Sequence, residues 1–94
     1  MSSPDFDASL AADAPPPEYS VPLQALWRAA RGEWDEAHAL AQSDESADAA
    51  WVHAHLHRIE GDLSNAAYWY RRAGRPDCGD PLEAERAAIA KALT

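Results

Sequence analysis

Ninety-four residues limit the chain to a single domain with a thin core, and four tryptophans (Trp27, Trp34, Trp51 and Trp69) must supply much of the apolar burial that its many alanines cannot. A net charge of −8, from 16 acidic against 8 basic residues, opposes a general affinity for nucleic acid or for an anionic membrane surface. The single cysteine excludes an intramolecular disulfide and fits a reducing, cytoplasmic setting, and no run approaches the ~20 apolar residues of a membrane span.

Residues 1–19 read as a flexible acidic arm. They carry Asp5, Asp7, Asp13 and Glu18 without a lysine or arginine, and Pro15, Pro16 and Pro17 favour an extended conformation. Phe6 and Leu10 are its anchors, should it dock. Met1 to Asp5 have neither the basic stretch nor the apolar run of a secretory signal. A single α-helical domain is expected over residues 20–94.

Ser20 and Pro22 open a first helix with Leu23, Leu26, Trp27 and Ala30 on one face, ended by Gly32. A second helix runs from Trp34 to Gln42, with Trp34, Ala37 and Ala41 on one side. A polar break at residues 43–46 supplies capping groups. The third helix runs from Ala47 to Glu60 with a stripe of Ala49, Val52, Leu56 and Ile59. Asp62 caps a fourth, which stops at Gly74, a residue suited to the left-handed position beyond a helix end. Asp80, Pro81 and Glu83 form a start signal for a fifth, in which Leu82, Ile89 and Leu93 share a stripe with Arg86. The alternating β-branched pattern of a strand is missing throughout.

A shift of 29 residues superimposes Leu23 on Val52, Trp27 on Leu56, Gly32 on Gly61, Glu33 on Asp62 and Ala37 on Ala66. Apolar falls on apolar, glycine on glycine and acid on acid, which marks a duplicated helix–turn–helix unit. Gly32-Glu33-Trp34-Asp35-Glu36-Ala37 and Gly61-Asp62-Leu63-Ser64-Asn65-Ala66 resemble the tetratricopeptide turn. In that pattern glycine makes the turn, the acid caps the next helix and alanine admits close helix contact. The resemblance covers residues 21–76, with a period of 29 where the family uses about 34. His55 to Gly74 is also similar to a group of small helical proteins without an assigned activity. The expected fold is therefore all-α: two consecutive helical hairpins of tetratricopeptide-like character plus a C-terminal capping helix. Two repeats leave a face uncovered, so a homodimer is expected.

Two groups of side chains stand out. His53 and His57, spaced i, i+4, share a helix face that Glu60 extends. A His–His–carboxylate set suits a divalent metal, with His53 and His57 as its candidate ligands; a polar helix face, with Glu60 paired to Arg28 or Arg31, is the other reading. His55 points elsewhere, and His38 reads as a surface residue. Asn65, Tyr68, Arg71 and Arg72 form the second group, an aromatic plate beside arginines, the composition of a binding hot spot for a carboxylate, a phosphate or an acidic peptide. Trp69 and Tyr70 are expected inside. Asp77 and Asp80 raise the pKa of Cys78 and disfavour it as a nucleophile. No catalytic set and no cofactor is assigned. The expected function is a non-enzymatic module that holds a protein or peptide partner in a groove between the first and third helices. The alternative is a metal- or small-ligand-binding protein, an enzyme or enzyme subunit among its forms, using His53, His57 and Glu60.

Overall fold

The computed structural model describes residues 4–94; Met1 to Ser3, part of the stretch read as lacking a leader, lie outside them. The described residues form six helices and no strand: α1 (Pro4–Ser9), α2 (Val21–Ala30), α3 (Trp34–Gln42), α4 (Ala47–Ile59), α5 (Leu63–Ala73) and α6 (Leu82–Leu93). No helix among them is long and apolar enough to cross a membrane.

The duplication is visible atom by atom at the turns. Gly32 (φ 80°) ends α2, and the Glu33 and Gly32 amides donate to the carbonyls of Arg28 (2.9 Å) and Ala29 (3.0 Å). Twenty-nine residues on, Gly61 (φ 84°) ends α4, and Asp62 and Gly61 donate to His57 (2.9 Å) and Arg58 (3.1 Å). Each is a Schellman closure, which needs a left-handed residue and therefore favours glycine. Ser20 and Ser46 cap α2 and α4 through Leu23 N–H (3.4 Å) and Ala49 N–H (3.1 Å). The two acids differ. Asp62 accepts from Asn65 N–H (3.2 Å) and caps α5, whereas Glu33 makes no side-chain cap and pairs instead with Arg28 (3.0 Å) and Arg31 (3.3 Å). These arginines precede it by five and two residues, and their charge outcompetes a neutral amide for the carboxylate.

Helices α2 and α3 form one hairpin and α4 and α5 the next, with α2 and α3 both against α4. Helix α6 returns to pack on α4 and α2, the capping place expected of it. Helix α4 is thus central, and every residue from Ala49 to His57 is buried. Alanines at 49, 50 and 54 keep its girth small enough for several neighbours to approach. The groove expected between α2 and α4 is consequently filled by the chain itself.

The segment read as a flexible arm departs from that expectation over its described part. Phe6 on α1 is 1% exposed and belongs to the core, where Leu10 and Tyr19 also pack. Trp27 Nε1–H donates to Ser9 Oγ (3.1 Å), and the Arg31 guanidinium donates to the carbonyls of Leu10 (3.0 Å) and Ala12. A buried indole N–H requires an acceptor, and the arm delivers it. At the other end, Pro81 rather than Asp80 stands at the start of α6, in extended conformation (φ −53°, ψ 146°) and with no side-chain cap. Ile59, expected in the α4 stripe, is exposed at the helix end.

Candidate functional site

Three histidines meet where the hairpins join. His53 and His57 lie one turn apart on α4, and His38 reaches them from α3. His53 Nε2 and His38 Nε2 are 3.0 Å apart, and one nitrogen from each of the three rings falls within 4.8 Å of the others. His38 is therefore no surface residue. Its ring stacks on Trp34 (centroids 4.8 Å), one helical turn earlier, and Trp34 is itself fixed by a hydrogen bond from Nε1–H to the Leu56 carbonyl (2.8 Å). Helix α3 packs against α4 through this edge, so the ring is turned inward. The i, i+4 pairing of an aromatic with His38 was the available signal in the sequence.

His53 is 2% exposed, stacked between Trp69 (3.8 Å) and His57 (4.9 Å). Burial, with His38 and His57 close by, pushes its pKa down to about 4, so the ring is neutral at pH 7. Its Nδ1 is buried and has no hydrogen-bond partner. His57 Nδ1 lies 2.7 Å from Glu60 Oε1. Glu60 is thus occupied within its own helix end, and Arg28 and Arg31, its expected partners, hold Glu33.

The second group lies on the outer face of α5, where Asn65, Tyr68, Arg71 and Arg72 are all exposed. Arg72 Nη1–H donates to Tyr68 Oη (3.3 Å), and its guanidinium lies 5.8 Å from the Tyr68 centroid and 5.4 Å from that of Trp69. Asn65 Nδ2 donates to Asp62 Oδ2 (2.9 Å), so its side chain is committed to the cap. Trp69, half-buried, joins the two groups: one ring contact reaches His53 in the interior, another reaches Arg72 at the surface.

A third cluster was not expected from the sequence. Glu85 on α6 is 3% exposed, and it receives His55 Nδ1 (2.7 Å), Arg58 Nη1 (2.7 Å) and the Tyr70 hydroxyl. Burial alone would raise the Glu85 pKa; these three hydrogen bonds overcome it and hold the carboxyl at about 2. Burial and the Glu85 charge push the Tyr70 phenol upward, and burial does the same to the nearby Cys78 thiol. Both are therefore protonated at pH 7, which makes Cys78 a poor nucleophile. The available signal was an acid at the middle of an apolar stripe: Leu82, Glu85 and Ile89 share one helical face.

Chemically, the histidine cluster offers imidazole nitrogens, the α5 face offers guanidinium and aromatic surface, and the Glu85 cluster is fully satisfied within the chain. No protein-family model, no curated protein and no solved structure matches the chain.

Proposed function

We propose that the chain is a non-enzymatic interaction module of tetratricopeptide-like type that binds an acidic peptide segment on the outer face of α5. The observation that carries this is the exposed Tyr68 ring, 44% exposed, with the Arg72 guanidinium beside it. Aromatic and arginine side chains held together at a surface form the composition in which binding energy concentrates. Arg71, Arg72 and Arg75 stand within five residues and make no ion pair among the described residues, in a chain whose net charge is −8. A local cationic patch in an acidic protein selects an acidic partner over a second basic one.

Titration of fluorescently labelled acidic peptides that carry aromatic residues, read by anisotropy, tests this. The expected result is saturable binding that weakens with salt and falls at least tenfold in Tyr68→Ala and in Arg72→Glu, with unchanged circular dichroism. Absence of saturation across a peptide array, or binding indifferent to both substitutions, would refute it.

A further inference from the structure

Independently of the α5 surface, we infer that His38, His53 and His57 form a binding site for a nitrogen-preferring divalent transition-metal ion such as Zn2+, with Glu60 as the residue that orients His57. The three rings come from two hairpins and present nitrogens within 4.8 Å of one another, with the His38–His53 pair at 3.0 Å. Zn–N bonds of about 2.0–2.1 Å place tetrahedral ligand nitrogens roughly 3.3 Å apart, so small ring rotations suffice to close the set. Three imidazoles without a carboxylate ligand favour zinc, copper, nickel or cobalt over magnesium and calcium, which take oxygen donors.

The hydrogen-bond pattern is that of ligands prepared for a metal. Glu60 engages Nδ1 of His57 and so leaves Nε2 for an ion, the carboxylate–histidine arrangement that fixes ring orientation in metal centres. His53, 2% exposed, turns its Nε2 to His38 Nε2, so these two nitrogens face one another out of reach of bulk water. Stacking on Trp69 and Trp34 holds His53 and His38 edge-on to the common point. Contrast the other buried histidine: His55 is satisfied by Glu85 and stands outside the set. Three protein ligands leave one coordination position for water or an exogenous ligand.

The test uses the full chain without a polyhistidine tag, stripped with chelator and titrated with Co2+ and then Zn2+. One Co2+ per chain should bind with the visible absorption of a low-coordinate site and be displaced by Zn2+, while fluorescence from the adjacent tryptophans is quenched by Co2+. His38→Ala should weaken binding at least 100-fold, and Glu60→Gln, at a partly exposed position, about tenfold. Failure of the folded wild-type chain to bind Co2+ or Zn2+ at 1:1 below millimolar concentration would overturn the site. So would stoichiometric binding unchanged in a folded His38→Ala chain. If His38→Ala does not fold, Glu60→Gln decides: unaltered affinity there removes the assigned role of Glu60 and with it the oriented site.

Discussion

At the scale of single residues, the Glu85 carboxylate is a buried charge held entirely by side chains of neighbouring helices. Three donors from α4 and α5 converge on it, so removing its charge strands Arg58 in a half-buried place. Glu85→Gln should lower stability by about 3 kcal/mol in urea unfolding followed by tryptophan fluorescence. The pH dependence has a definite sign. The folded pKa, about 2, lies below the ordinary value of 4.5, so the stabilisation is complete above pH ~5 and fades as pH falls through 4 toward 2. In Glu85→Gln that acid-range slope should be shallower. Glu33 differs: that carboxylate meets two arginines, but it does so at the solvent-accessible surface, where such pairs contribute little. The stripe read from the sequence carried Arg86 as its polar member, whereas the structure buries Glu85 and leaves Arg86 half-buried, since a buried ionic cluster depends on which helix α6 meets, and no local pattern encodes that.

At the scale of elements, the boundaries were legible because each is written in short-range chemistry: serine caps, Schellman glycines and the proline before α6. Gly61→Ala tests this directly. A Cβ there would touch nothing within 4 Å, so only the left-handed backbone is penalised, and the cost should be about 1–2 kcal/mol with no change of fold. Gly79→Ala, at ordinary φ and equally open, should stay within about 0.5 kcal/mol of the parent. What the sequence concealed at this scale is α1. Its six residues are too few to show a helical period, and neighbouring prolines and acids dominate the composition of the stretch. Phe6 alone betrays it, and a lone aromatic has no periodicity to read. Phe6→Ala should release α1 from the core, at a cost of about 3 kcal/mol in thermal or urea unfolding, and raise amide exchange in residues 4–12.

At the scale of the whole molecule, the repeat foresaw two hairpins and left their docking open. That docking decided the candidate site. The i, i+4 spacing on α4 identified His53 and His57, yet His38 joined them only because α3 lies across α4, a long-range contact outside the reach of spacing rules. It also closed the groove between α2 and α4 and left α5 as the outward face. The joint between the hairpins has a further property. Alanine-rich helix surfaces are nearly uniform along their length, and an apolar contact of that kind tolerates sliding by a full turn of about 5.4 Å. The His38–His53 contact and the Trp34 bond to the Leu56 carbonyl do not, since each requires one atom opposite one other. Direction, which hydrocarbon packing lacks, thereby selects a single register for two otherwise interchangeable halves.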